Sequence, residues 1–199
     1  MTTHATARKF YPIYQALLDN GWQEHRTDAG RCFAKNDGNQ FIVLNLREIF
    51  LTDQQKLELN WFLHSMKLFN IVQTISPNKL RDWLPLTVMS DDPREQKVSL
   101  SVSDSEDFVY SQAEEIVNEL VDWGRNVDVD QTIRAIASSP IPNVGGAQLK
   151  HLAALAYVGD FNTLMDYQQV FKKGKRMNFV PMITPEMIDR AVGIALDRA

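Results

Sequence analysis

Apolar residues first recur at helical spacing near the N-terminus, where Phe10, Ile13, Tyr14, Leu17 and Leu18 fall on one face and predict a helix over residues 7–19. Pro12 lies within that span. Either the regular helix begins near Tyr11 with Pro12 in its first turn, or it kinks there. Asn20-Gly21 is a stop signal, because glycine accepts the left-handed conformation that ends a helix. The period then changes. Residues 21–26, 31–35 and 40–47 read as three strands, separated by turns at Thr27-Asp28-Ala29-Gly30 and Asn36-Asp37-Gly38-Asn39. Asp37-Gly38 is the strongest turn signal of the chain, since Asp-Gly suits the turns that match strand twist. The segment reads as an antiparallel meander with Trp22, Phe33, Phe41, Val43 and Leu44 supplying its buried face.

Residues 52–75 carry two periods at once. Leu57, Leu59, Trp61 and Leu63 alternate as in a strand. Thr52-Asp53-Gln54-Gln55 reads as a capping box, and Leu57, Trp61, Leu68 and Val72 keep helical spacing. Strand is favoured for residues 56–64, and the rest stays open. Ser76-Pro77 opens a short helix through Trp83, stopped by Pro85. A loop at Ser90-Asp91-Asp92-Pro93 precedes a strand over residues 97–102.

Beyond Ser103 the pattern is helical. Residues 105–123 predict a long amphipathic helix with Phe108, Ala113, Ile116, Val117, Leu120 and Trp123 inward and Gly124 as its end. Asp128 caps a second helix through Ala137, and further helices are expected near 147–158, 161–172 and 185–198. Ser138 to Gly146, rich in Ser, Pro and Gly, reads as a hinge. The expected class is α+β: an N-terminal helix, an antiparallel meander sheet, a long helix packed on it, and a helical C-terminal third. The expected division is a module over residues 1–138 and a helical part over 139–199, packed together as one compact unit.

Composition narrows the function classes. The 199 residues are 44% apolar and 23% charged, ordinary globular values that exclude low-complexity and collagen-like chains. A net charge of −4 argues against a general nucleic-acid binder. The single cysteine, Cys32, excludes an internal disulfide framework and a thiolate metal cluster, which fits a cytoplasmic location. No run of ~18 apolar residues spans a membrane, and the start of the chain does not read as a secretory signal.

The expected chemistry is meagre. The sequence has no glycine-rich phosphate loop, no His pair four residues apart and no serine in a nucleophile elbow. His4, His25, His64 and His151 stand far apart, so no metal or other cofactor is expected and no catalytic residue is assigned. Cys32 reads as a small buried side chain. Gly145-Gly146 before a helix could present backbone N–H groups to an anion, although the flexible hinge is the plainer reading.

Charge distribution is the one feature above background. Residues 104–130 hold nine acids against one base, Arg125. A helix N-terminus favours Asp104, Glu106 and Asp107. It does not account for the rest, and a one-sign helix face repels itself. Glu114, Glu115, Glu119, Asp122, Asp128 and Asp130, together with Asp107 at the start of the same helix, are the candidate partner-binding residues, suited to steering a basic protein. A smaller basic cluster, Lys172-Lys173-Gly174-Lys175-Arg176, fits a helix C-terminus.

The segments FYPIYQALLDNGW, RCFAK, NDGNQFIVLNL and KVSLSV, within residues 8–102, give the chain a texture that resembles the small stand-alone immunity proteins of bacterial toxin systems. That resemblance implies a non-enzymatic cytoplasmic protein that neutralises a secreted toxin by occluding it through an acidic face. It implies no particular functional residue, and the helices after Ser139 lie outside it. Two other classes compete: an enzyme whose site converges only in three dimensions, and a secretion or assembly chaperone with an exposed apolar groove. The expected partner is a basic protein, with no nucleic acid and no membrane; the oligomeric state is left open.

Overall fold

The computed structural model describes residues 11–27, 30–38, 40–50, 55–76, 87–89, 98–101 and 106–198. Within them the chain is α+β. It divides into two compact units, residues 1–64 with 89–127 and residues 65–88 with 128–199.

The first unit opens with helix α1 (Tyr11–Asp19), which carries Pro12 in its first turn, where the missing N–H costs no helix bond. Gly21, at φ +79°, ends it: Gly21 N–H donates to Leu18 O and Trp22 N–H to Leu17 O, both at 3.0 Å, a Schellman closure. Strands β1 (Gln23–Thr27), β2 (Gly30–Asp37), β3 (Gln40–Phe50) and β4 (Gln55–Ser65) follow, with β6 (Val98–Ser101), while β5 (Thr87–Met89) spans the boundary between the units at residues 88 and 89. The sheet order is β1-β2-β3-β4-β5, and β6 pairs antiparallel with β4, Leu57 opposite Leu100. The expected meander is present: β1 pairs antiparallel with β2, and β2 with β3. Its second turn closes between Asp37 and Gln40, with Gly38 at φ +73°.

The alternation of β4 is that of a strand, with Leu57, Leu59, Trp61 and Leu63 buried. Phe33, Leu44, Ile42 and Leu46 bury one face of β2 and β3, and Tyr14 of α1 stacks on Phe33 with ring centroids 5.8 Å apart. Phe41, expected in the core, is only half-buried, while Ile42 is fully buried. Helix α3 (Glu106–Asn126) packs on β3 and α1, with Val117, Leu120 and Val121 inward. Gly124 does not end this helix as expected. It is a buried helical residue where α3 approaches the sheet, and Gln40 Nε2 donates to its carbonyl at 2.9 Å.

The second unit begins where β4 passes into α2 (Met66–Ile75). Ser65 caps α2, its hydroxyl accepting from Leu68 N–H, which settles the ambiguous half of residues 52–75 as helix. Helices α4 (Val129–Ser138), α5 (Gly145–Val158), α6 (Phe161–Lys172) and α7 (Pro185–Leu196) complete the unit. Their shared core gathers Leu68, Ile75, Ile133, Leu152, Ile188 and Ala195. Arg190 of α7 donates to Ile75 O at 2.6 Å, satisfying a carbonyl at the end of α2.

The units do not divide at 138/139, because α2 packs on α5 and α7, and α4 packs on α5. Of Ser138 to Gly146, read as a hinge, Ser138 ends α4, Gly145 and Gly146 begin α5, and residues 139–144 are a connection inside one unit, tied down by a hydrogen bond from Gln148 Nε2 to Pro142 O. The helix over 77–83, the loop at 90–93 and the first three residues of the expected capping box at 52–55 lie outside the described residues, and Gln55 is the first residue of β4.

Candidate functional site

Helix α3 carries six acids and one base. Its buried stripe of Val117, Leu120 and Val121 fixes the rotation of the helix, and Glu114, Glu115, Glu119 and Asp122 consequently face solvent. Glu115, Glu119 and Asp122, spaced by four and three, make one line along the exposed surface. Arg125 reaches Asp122 at 3.9 Å with both side chains well exposed, a contact of little energetic weight. Asp107 lies in the first turn of the helix, and its side chain is outside the described residues. Asp122 stands about one turn from the C-terminal end of α3, where the helix dipole disfavours acids.

Asp128 and Asp130 belong to the second unit, and their carboxylates are used inside the fold. Asp128 caps α4, accepting from Gln131 N–H at 2.9 Å. Asp130 accepts from the Tyr157 hydroxyl at 2.6 Å. Burial, reinforced by that hydrogen bond, pushes the Tyr157 hydroxyl up to about 12. The acids near 128–130 are thus fold elements as well as surface charge.

Charge also separates between the units. The first holds 10 basic and 17 acidic side chains, a net −7; the second holds 11 and 8, a net +3. The basic cluster at 172–176 is partly used by the fold. Lys172 donates to Gln168, and Gly174, at φ +72°, ends α6. Arg176 donates to Val180 O and Ile183 O and lies 5.1 Å from the Phe171 ring centroid. Lys173 and Lys175 are exposed.

Cys32 and His151 are embedded. Cys32 is buried in β2, and burial pushes its thiol up to about 11, away from the thiolate a nucleophile needs. His151 is buried in α5, with Nδ1 3.0 Å from Ile136 O and Nε2 3.2 Å from the Tyr167 hydroxyl. Its pKa is lowered by burial, so the neutral ring donates through Nδ1–H and accepts from Tyr167. This pairing joins α4, α5 and α6. Among the described residues, no three or more His, Cys, Asp or Glu side chains gather where they could hold a metal ion. A cleft of about 310 Å³ in the second unit is lined by Lys67, Asn70, Ile71, Thr74, Ile194 and Arg198. It gathers two cations with neither a carboxylate nor an imidazole, so it builds no acid–base pair.

Sequence reasoning missed Gln148, a wholly buried amide within the apolar α5. Nε2 donates to Pro142 O and Asn178 O, both at 2.7 Å, and Oε1 accepts from Val180 N–H at 2.9 Å. A glutamine at a core position of a helix was the available signal, because a buried amide implies backbone groups to satisfy.

The architecture defines an α+β protein with a helical second unit and a strongly acidic first one. The chain belongs to a family of unknown function, DUF6990, whose profile matches residues 11–196. Comparison with curated proteins and with solved structures gives no match. No helix of the described residues is long and apolar enough to cross a membrane.

Proposed function

We propose that this chain is a non-catalytic protein-binding protein whose acidic α3 face receives a basic surface of another protein. One observation carries the reading: Glu114, Glu115, Glu119 and Asp122 are all exposed on a helix with a single base. Like charges at these spacings weaken a helix by a few tenths of a kcal/mol per pair, and Asp122 sits near the wrong end of the dipole. A basic partner turns that local cost into attraction and raises the association rate. The most concrete form is occlusion of the Lys/Arg surface of a secreted bacterial toxin domain in the cytoplasm, a form that rests on the resemblance of residues 8–102.

The test is affinity capture from the source cell with the wild-type chain and with E115K/E119K/D122K, circular dichroism confirming that the variant is folded. The expected result is a basic protein retained by the wild type and lost by the variant. Stopped-flow association should then slow by about ten-fold or more in the variant at low salt, the difference shrinking as screening shortens to ~3 Å near 1 M. A partner captured equally by both, with a salt-independent on-rate, would overturn the proposal.

A further inference from the structure

The second unit exposes apolar side chains where two of its connections meet. Val144 stands 68% exposed at the N-cap of α5, Met177 is 51% exposed and Met182 is 39% exposed. The connections are held side by side. Gln148 binds Pro142 in one, and Asn178 and Val180 in the other, through three hydrogen bonds from one buried amide. A Cβ on Gly145 would collide with Met182 Sδ and lie 3.1 Å from Val180 Cγ2, so Met182 rests directly against the start of α5. Arg176 fastens the second connection again through Val180 O and Ile183 O.

Two of these apolar residues work against the fold. Valine is among the poorest N-cap residues, and Val144 offers α5 no side-chain cap. Met177 holds φ +51°, a left-handed conformation that L-residues with a full side chain adopt at a cost. All three leave part of their apolar surface in water. Strain and exposure concentrated on a rigidly tied surface are the features of a binding site organised before its ligand arrives. Methionine suits such a surface because its unbranched thioether adapts to the shape it meets.

The charge carried by the two connections states what fits there. Residues 173–182 contain Lys173, Lys175 and Arg176 and no acid, and residues 139–149 contain no charge at all. Arg176 is occupied by backbone carbonyls, which leaves Lys173 and Lys175 as exposed cations with no ion pair among the described residues. We infer that Val144, Met177 and Met182 form a docking platform for a protein segment that presents an apolar anchor flanked by Asp or Glu, the carboxylates meeting Lys173 and Lys175. This surface is opposite in sign to the α3 face and stands independently of it. A membrane is a poorer fit. Interfacial insertion favours Trp, Phe and Leu on an amphipathic helix, whereas this platform is two short connections locked by Gln148.

Selection of random dodecapeptides displayed on phage against the full chain tests the assignment. The expected binders are enriched in large apolar residues next to Asp or Glu. The affinity of the synthetic peptides should fall about ten-fold or more in M177S/M182S, and should fall and lose its salt dependence in K173E/K175E. Met177→Gly separates this role from a structural one: relief of the strained φ should raise the urea midpoint while peptide affinity drops. Several results overturn the proposal. These are no binder, binders enriched in Lys or Arg, and binding indifferent to both methionines. So too would be self-association in sedimentation, or binding to vesicles containing about 30% phosphatidylserine, if either is lost in M177S/M182S.

Discussion

Replacing Gly124 by alanine tests how α3 is seated on the sheet. In an exposed helix, Gly→Ala stabilises by about 0.5–1 kcal/mol. Here the new Cβ would lie 2.5 Å from Ile42 Cδ1, 2.8 Å from Ile42 Cγ1 and 3.8 Å from Leu63 Cδ1. Ile42 and Leu63 are fully buried, so neither has free space to retreat into. Overpacking of this kind costs about 1–3 kcal/mol. Set against the helix gain, Gly124→Ala should destabilise the first unit by about 1–2 kcal/mol. Ile42→Val alone should cost about 0.5–1.5 kcal/mol. Because it removes the Cδ1 atom nearest the new methyl, the double variant should be more stable than the sum of the two by about 1 kcal/mol. The Cγ1 contact persists, so the rescue is partial. Urea titrations followed by tryptophan fluorescence give all four corners of the cycle, and Trp22, Trp61 and Trp123 all lie in the first unit. A Gly124→Ala variant more stable than the wild type, or strictly additive costs, would refute the close approach.

Two further outcomes follow from local geometry. Gly38 has open space around it but holds φ +73°, so Gly38→Val should cost about 1–2 kcal/mol through backbone strain alone, with Gly38→Asn milder in the same urea assay. His151 is a base whose folded pKa lies below 6.5, because burial outweighs the Ile136 hydrogen bond and the charge of Asp160. The unfolded chain therefore takes up a proton first as pH falls. The stability is fully present above about 6.5 and is lost as pH drops through the folded value. His151→Gln should be less stable than the wild type at pH 7 and show a shallower decline toward pH 5 by circular dichroism; an equal or steeper decline would contradict the assignment.

The sequence made legible whatever is decided within a few residues. Asn20-Gly21, Asp37-Gly38 and the cap at Asp128 act through local hydrogen bonds and backbone freedom, and α6 matches its expected span of 161–172. The exposed line of Glu115, Glu119 and Asp122 was legible for the same reason, being a matter of helical spacing. Gly124 shows the limit. As a sequence symbol it reads as a stop, whereas the fold uses it for a missing side chain, a requirement set by Ile42 more than 80 residues away. The two-unit division was equally hidden, since nothing near Ser65 announces that α2 packs against helices 70 to 130 residues later. The Gln148 tie and the apolar platform depend on two connections meeting in space, which no periodicity records.

The interleaving of the two units has a consequence during synthesis. The elements α3 packs on, α1 and β3, are made before it, so the first unit has its main elements once residue 126 has left the ribosome. The second unit is different. Its first helix, α2, ends at Ile75, while α7, against which it packs, begins at Pro185. At about 5–20 residues per second, α2 waits roughly 5–20 s with Leu68, Phe69, Ile71, Val72 and Ile75 lacking their final cover. A five-residue apolar stripe held open that long makes the nascent chain, rather than the finished protein, the form most exposed to aggregation and to capture by ribosome-associated chaperones.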